Sequence, residues 1–275
     1  MYIMKWTRAK EYVQIKKYSH RSFGAPGQKR EKRMNNTPKA AEKYNNKLRA
    51  EKLQMLMILN FDQGFHVILT YPKDKRPETY KEAEKNLMKC LYKISRRMKS
   101  KGKKFRYIAV TEKGKRREAL HHHVIVEGFT EIIDELMKVW GRHMQVVPMY
   151  KEGAYKDLAE YIVKIETKEE VLKGKSKYHR SRNLKEPVTR SKIVAGSFKE
   201  DPKIPQGYNL MPDTLVNGRN ETFGVRFQHY MIEKQIVPKE KPKEPLISDE
   251  NRSHKCTLWE SLKKGTKKMV RKLWR

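Results

Sequence analysis

The sequence predicts an α+β fold, with a central antiparallel sheet of about five strands and flanking helices. Short runs of β-branched and aromatic residues alternate with longer stretches in which apolar residues recur every three or four positions. Their order is strand, helix, strand, strand, helix, strand, which is the split βαβ pattern. Two of these strands flank a short basic turn, which favours an antiparallel hairpin.

The composition indicates a polyanionic partner. The chain has 275 residues with 64 lysines and arginines against 32 acidic residues, so its formal net charge is +32. Because each phosphate contact releases counterions, this charge predicts strong, salt-dependent binding to nucleic acid. The apolar runs are far shorter than the roughly 20 residues of a transmembrane helix, and the first residues lack the apolar core of a signal peptide. Cys90 and Cys256 are too few for a disulfide framework, so we expect a cytoplasmic protein without membrane association.

The chain is predicted to have three parts. Residues 1–50 are rich in basic and amide side chains and predict a basic N-terminal arm, partly helical from about residue 40. This arm could contact nucleic acid or could only increase solubility. Residues 51–235 are expected to form the folded, catalytic-sized core. Residues 236–275 predict a linker between Pro238 and Pro245 and then a basic C-terminal helix that contacts phosphate or a partner.

Each element of the core has its own signal. Phe65–Tyr71 is β-branched and aromatic and is followed by Pro72, so it predicts a strand with a defined end. Glu78–Lys99 carries apolar residues three and four apart, which predicts an amphipathic helix. Arg106–Glu112 and Leu120–Val126 predict the hairpin. The later elements are predicted helices over residues 129–142 and 156–168, and predicted strands over 144–149 and near 208–210 and 230–232.

The strand Leu120–Val126 contains a histidine pair. Side chains alternate between the faces of a strand, so His121 and His123 share one face and His122 lies on the other. Two imidazoles at this spacing can hold a metal ion, which generally needs a third protein ligand. The alternatives are a solvated cluster, core histidines bonded to backbone carbonyls, or histidines that only bind phosphate.

Glu112 is the predicted third ligand. It ends the strand expected to pair with the histidine strand, so a hairpin would bring its carboxylate close to both imidazoles. Glu127 lies on the same face, but four residues of strand separate it from His123 by roughly 13 Å. Two imidazoles and a carboxylate can accept magnesium, manganese or zinc.

The predicted helix over residues 156–168 offers a nucleophile. Tyr161 and Lys164 are three residues apart and therefore occupy neighbouring surface of that helix. A phenol with a pKa of about 10 is a poor nucleophile unless a cation or a desolvated pocket favours its phenolate. Lys164 could supply that charge or hold a phosphate. Tyr155 lies well round the helix from Tyr161, so one nucleophile is predicted, although this pattern alone is more typical of a structural tyrosine.

Taken in order, these segments resemble the motifs of HUH endonucleases, which include the rolling-circle replication initiators of bacterial mobile elements and filamentous-type phages. The resemblance covers residues 48–235, and it departs from the family at His122, where the spacer between the paired histidines is usually apolar. The segments that carry the resemblance are Phe65–Tyr71, Tyr107–Gly114, Leu120–Val126, Leu158–Lys164, Ser181–Pro187 and Asn217–Glu221.

The resemblance implies an enzyme that nicks and rejoins single-stranded DNA at a rolling-circle origin, with a ferredoxin-like or RNA-recognition-like sheet as its core. His121, His123 and Glu112 would hold Mg²⁺ or Mn²⁺, and Tyr161 would attack phosphorus to give a 5′-phosphotyrosine adduct and a free 3′-hydroxyl. A host helicase and polymerase in a bacterial cytoplasm are the implied partners, and no nucleotide cofactor is expected. The basic residues expected to contact DNA are Lys113, Lys115, Arg116, Arg117, Arg180, Arg182 and Lys185.

Two other functions fit the same residues. A relaxase or transposase would use the same chemistry on a different DNA substrate. A non-catalytic single-stranded nucleic-acid-binding protein would stack bases on aromatic residues such as Phe65, Tyr71 and Tyr107 without cutting the strand. A covalent adduct with DNA would separate the enzymes from the binder, and the DNA substrate would separate the two kinds of enzyme.

Overall fold

A computed structural model of the chain describes residues 1–19, 39–61, 63–114, 118–149, 152–166, 178–219 and 226–235, and gives the backbone alone for 39–44, 152–153 and 165–166. Residues 1–235 form one compact unit. The predicted linker and C-terminal helix of residues 236–275 lie outside the described residues, as do Lys115, Arg116 and Arg117.

The described residues form two five-stranded antiparallel sheets and four α-helices, which confirms the predicted α+β class. The strands are β1 (Tyr2–Ala9), β2 (Tyr12–Ser19), β3 (Phe65–Leu69), β4 (Tyr107–Lys113), β5 (Leu120–Val126), β6 (Met144–Pro148), β7 (His179–Arg180), β8 (Val188–Val194), β9 (Tyr208–Arg219) and β10 (Arg226–Lys234). The helices are α1 (Lys39–Asn60), α2 (Tyr80–Ser100), α3 (Thr130–Trp140) and α4 (Lys156–Glu166). Within the described ranges, no helix is both long and apolar enough to cross a bilayer.

The first sheet, which we call the central sheet, has the strand order β6-β3-β5-β4-β7. The histidine strand β5 therefore lies in its middle. β4 and β5 pair in antiparallel register with Glu112 opposite His121, as the hairpin prediction requires. On the other side of β5, Ile68 of β3 lies opposite His123.

One face of the central sheet is covered by α2 and α3. Leu87, Leu91 and Ile94 recur at helical spacing along α2 and are buried in a cluster that includes Val124 of β5. The helix begins after Thr79, whose side-chain oxygen accepts a hydrogen bond from the Glu82 amide at 3.2 Å. The β5 residues of even number, including His122, face this layer.

The opposite face of the central sheet is covered by α1 and α4, which lie between the two sheets. One apolar cluster joins Leu56 of α1, Ile162 of α4, Ile125 of β5 and Met231 of β10. The molecule is thus layered as helices, central sheet, helices and second sheet. This arrangement lays α4 on the face of β5 that carries His121 and His123.

The second sheet, which we call the N-terminal sheet, has the order β8-β1-β2-β10-β9. The sequence prediction assigned residues 1–50 to a basic arm, but Tyr2–Ser19 contains a hairpin that pairs in this sheet. The difference has a physical cause, because the basic residues of the hairpin find partners far away along the chain. The buried Lys17, for example, donates to Gln228 of β10 at 2.8 Å. The predicted strands near 208–210 and 230–232 exist as β9 and β10, and they join this sheet.

Candidate active site

Three potential metal ligands converge at the end of the β4–β5 hairpin. Nε2 of His123 lies 3.1 Å from Oε2 of Glu112 and 3.2 Å from Nε2 of His121. Nε2 of His121 lies 3.6 Å from the same carboxylate oxygen. The three ligand atoms all lie within 4.8 Å of one another, and no second cluster of this kind occurs among the described residues.

Local backbone geometry explains this convergence. Glu112 and His121 are direct partners in the ladder, and His123 lies one diagonal step away on the same face. Two imidazoles and one carboxylate offer lone pairs that a divalent cation accepts, so the chemistry of the donor set fits a metal ion. Its identity is not determined by these ligands, because magnesium, manganese and zinc all accept them.

Tyr161 reaches the same carboxylate from α4. Its hydroxyl donates to Oε2 of Glu112 at 2.7 Å and lies 3.5 Å from Nε2 of His123. Its ring packs edge-on against the His123 ring, with 5.3 Å between ring centroids. The predicted nucleophile and the predicted metal ligands therefore share one site, although Glu112 and Tyr161 are 49 residues apart in the chain.

The electrostatics couple Tyr161 to Glu112. Burial and the hydrogen bond to Glu112 both raise the pKa of Tyr161, so the phenol is protonated in this arrangement. Burial acts to raise the pKa of Glu112, but hydrogen bonds with His121, His123 and Tyr161 outweigh it and hold the pKa well below its usual range. Glu112 is therefore an anion, which is the form that coordinates a cation.

His66 belongs to the site and was missed in the sequence reasoning. Its Nε2 lies 2.9 Å from Nδ1 of His123, and the two rings are stacked with their centroids 5.1 Å apart. Burial and the neighbouring His123 lower the pKa of His66 to about 3, so it is neutral. The available signal was alternation, since His66 is a polar residue on the otherwise apolar strand β3.

This contact has a consequence for the tautomer of His123. For Nε2 of His123 to coordinate a metal it must carry no proton, so the proton must sit on Nδ1. Nδ1 would then donate to Nε2 of His66, which accepts. A histidine that ligates a metal commonly has its other nitrogen held in this way.

His122 lies on the opposite face, as alternation predicts. It is fully buried, Nε2 lies 2.6 Å from the Tyr71 hydroxyl, and Nδ1 lies 2.9 Å from the Thr111 hydroxyl. Burial and the charges of its neighbours lower the pKa of His122 to about 3. His122 is thus a neutral, packed residue that connects β5 to the α2 and α3 side of the sheet.

The remaining predicted residues lie around this centre. Lys164 is one turn beyond Tyr161 on α4, with an exposed side chain. Tyr155 lies in a 3-10 turn before α4, is buried, and donates to the Phe61 carbonyl at 3.3 Å. Glu127 pairs with Arg106 at 2.6 Å, away from the histidine pair.

The described basic residues predicted to contact DNA are exposed. Lys113 pairs with Glu118 at 3.2 Å, and Arg180 pairs with Glu186. The charge of Arg182 acts on Tyr107, whose pKa is nevertheless raised by burial. The backbone amide of Lys185 donates to Asn60 of α1 at 2.8 Å, which holds this segment against the helix.

Residues 65–170 match the family model of the replication-associated protein ORF2. A search of curated proteins and a search of solved structures each returned no match. The matched segment runs from β3 through α4 and contains Glu112, His121, His123 and Tyr161. The segment that carries the candidate site therefore belongs to the ORF2 replication-associated proteins, a family of rolling-circle replication initiators.

Proposed function

We propose that this protein is an HUH-type initiator that nicks single-stranded DNA at a rolling-circle origin through Tyr161. One observation carries the proposal: the Tyr161 hydroxyl lies 2.7 Å from a carboxylate that also contacts two histidines. A nucleophile beside a group of metal ligands is the arrangement that metal-assisted phosphoryl transfer needs. The match of residues 65–170 to replication-associated proteins supports the same function.

The reaction would be a transesterification. The Tyr161 oxygen forms a bond to phosphorus, the bond between phosphorus and the 3′ oxygen breaks, and the phenolic proton is released to solvent. The leaving 3′ oxygen takes up a proton and becomes a free 3′-hydroxyl, while the 5′ side stays attached to the protein. One phosphodiester replaces another, so the strand can be rejoined by reversal and no nucleotide is consumed.

The chain's own residues would provide binding and orientation. His121, His123 and Glu112 would hold a divalent cation, Mg²⁺ or Mn²⁺, which as a Lewis acid supplies polarisation of the scissile phosphate. Packing of α4 against the central sheet fixes the Tyr161 ring on His123. Tyr155 is buried against Phe61, which supports a single nucleophile. The exposed side chains of Lys164 and Arg182 would contact phosphates that flank the nick.

The partners of such an initiator follow from its chemistry. The net charge of +32 supports binding of single-stranded DNA, and a polymerase would extend the 3′-hydroxyl. We propose that helicase and polymerase come from the bacterial host cytoplasm.

A covalent-adduct assay tests the proposed function. The full chain is incubated with end-labelled single-stranded DNA that contains the origin and Mn²⁺ or Mg²⁺, and the products are separated on a denaturing gel. We expect a labelled protein band that requires the metal and disappears in Tyr161→Phe, because the substitution removes the attacking oxygen. Tyr155→Phe is the matched control and should retain the band.

The opposite outcomes are equally clear. Tight DNA binding by the wild-type chain without any adduct would make the protein a non-catalytic binder. Survival of the adduct in Tyr161→Phe together with its loss in Tyr155→Phe would move the nucleophile to Tyr155.

A further inference from the structure

A second pocket lies behind α4, on the side that faces the N-terminal sheet. It has a volume of about 210 Å³. Its walls come from α1, α4, β2, β9 and β10, and its exposed rim carries Lys47, Lys156 and Asp213. We call it the His229 pocket, because the His229 ring lies at its buried end.

His229 is the unusual residue of this pocket. Its side chain is 5% exposed, and neither ring nitrogen has a hydrogen-bond partner among the described residues. Most buried polar side chains are paired, because an unsatisfied buried donor or acceptor destabilises the fold. Two unsatisfied nitrogens on one ring that lines a pocket therefore indicate a ligand that pairs with them.

The chemistry of the pocket restricts that ligand. Burial, together with Lys16 and Lys47, lowers the pKa of His229 to about 3, so the ring is neutral and offers one donor and one acceptor. Glu51 and Glu160 also line the pocket, which disfavours a phosphate at its buried end. A metal is disfavoured as well, because His229 belongs to no cluster of three potential ligands in the described part of the chain.

A nucleobase fits these restrictions. Its edge presents donors and acceptors, which a neutral imidazole and the amide of the buried Gln14 can match. Ala50 and Met231 supply apolar wall against which a flat ring can pack. Lys47 and Lys156 lie at the rim, where the phosphates of the same strand would pass.

The position of the pocket connects it to the nicking site. Glu160 lines the pocket and is the neighbour of Tyr161 on α4. Consecutive residues of a helix point about 100° apart, so the pocket and the nucleophile occupy adjoining sides of one helix about 10 Å across. A single strand can therefore contact both.

We propose that the His229 pocket accepts one base of the single-stranded DNA, a few nucleotides from the scissile phosphate, and reads it through the ring nitrogens of His229. This inference rests on the proposed function, since it takes the nicked strand as the ligand. It assigns to the N-terminal sheet a role in choosing the DNA sequence.

The test measures base preference separately from cleavage. In a Tyr161→Phe background, fluorescence anisotropy gives the affinity of the full chain for labelled 20-mers of dA, dC and dT. We expect one homopolymer to bind about tenfold more tightly than another, as a base contact of good geometry allows. His229→Leu should bring these affinities within about twofold, and His229→Gln, which keeps a donor and an acceptor, should retain part of the preference.

Two readouts exclude a merely structural effect. The dependence of affinity on salt should be the same in His229→Leu, because the phosphate contacts are unchanged. The melting temperature of His229→Leu should equal or exceed that of the parent, since an unsatisfied buried group is removed. His143→Leu, at an exposed histidine, is the matched control and should leave the preference unchanged.

A base preference that is absent, or that persists in His229→Leu, overturns the proposal. So does a rise in melting temperature caused by inorganic phosphate that requires His229, which would make the pocket a phosphate site. A His229-dependent rise with free nucleoside monophosphates but no His229-dependent strand preference would indicate a free-nucleotide site instead. Adduct formation by the wild-type chain is scored separately, so failure here leaves the nicking proposal standing, and the reverse also holds.

Discussion

At the scale of single residues, one oxygen atom organises the candidate active site. Oε2 of Glu112 accepts the Tyr161 hydroxyl and contacts both histidines of the pair. A cation bound there would compete with the tyrosine for the same oxygen, because both use its lone pairs. Glu112 thus connects metal binding to the state of the nucleophile.

His66 is expected to act as a positioning residue for His123. We predict that His66→Phe lowers the affinity for Mn²⁺ by about tenfold or more, because the acceptor that holds the proton on Nδ1 of His123 is lost. His66→Gln keeps an acceptor and should restore part of the affinity. Calorimetric titration of Mn²⁺ measures this effect without DNA or activity, and equal affinities for wild type and His66→Phe would contradict the assignment.

His122 is expected to matter for stability and not for nicking. In His122→Leu the hydroxyls of Tyr71 and Thr111 lose their partner, so the free energy of unfolding should fall by about 1–3 kcal/mol. The adduct yield at a temperature where the variant is folded should stay within about twofold of wild type, as expected for a side chain on the face opposite the metal ligands. Urea denaturation and the gel assay measure the two quantities. A lost adduct with unchanged stability would assign His122 to the chemistry.

At the scale of elements, the site depends on how the central sheet is anchored. Residues 63 and 64 lead into β3, and Gly128 follows β5, so these two ends meet at one corner of the sheet. A Cβ atom on Gly128 would lie 2.0 Å from the Gln63 carbonyl oxygen. Only a glycine allows this approach of the two backbones.

Gly128→Ala is therefore predicted to destabilise the protein. The added methyl must displace backbone, and overpacking of this kind costs about 1–3 kcal/mol. Urea denaturation should record this as a lower midpoint. Gly114→Ala provides the control, since its Cβ would meet the nearest atom at an ordinary 3.4 Å. Similar midpoints for the two variants would contradict the close approach.

The elements of the central sheet were largely predictable, whereas those of the N-terminal sheet were not. β3, α2 and β5 carry clear periods of two or three to four residues, because each has one apolar face. Tyr12–Ile15 of β2 is buried at every position, so alternation between faces does not appear in its sequence. Its partner β10 lies more than 200 residues away, and no local pattern reveals that pairing.

At the scale of the whole molecule, buried histidines should make the fold sensitive to acid. His229 has a pKa of about 3 when folded and about 6.5 when unfolded. Above pH 6.5 it is neutral in both states. As the pH falls below 6.5 the unfolded chain binds a proton that the folded chain does not, so stability falls until about pH 3.

The predicted size of this effect is about 2 kcal/mol between pH 6.5 and pH 5 for His229 alone. His229→Leu should lose correspondingly less stability over that interval. Lys16 and Lys47 oppose protonation of the ring, whereas the pocket carboxylates Glu51, Glu160 and Asp213 favour it. Urea denaturation at pH 7.5, 6.5 and 5 measures the difference. His143→Leu is the control, and the same acid sensitivity in His229→Leu and wild type would contradict the prediction.

The sequence by itself determined the contacts that arise within one hairpin. Alternation along β5 assigns His121 and His123 to one face, and the short connection to β4 brings Glu112 opposite them. Helical spacing likewise predicted the helix that carries Tyr161. These features depend on neighbours a few residues away, which local patterns encode.

Only the tertiary structure decided which elements meet. The packing of α4 between two sheets brought Tyr161 to Glu112, the pairing of β3 with β5 brought His66 to His123, and the hairpin β1–β2 joined β10 to form the wall of the His229 pocket. Each of these contacts joins residues far apart in the chain. They are set by how apolar faces bury one another across the layers, which a period of two or 3.6 residues does not record.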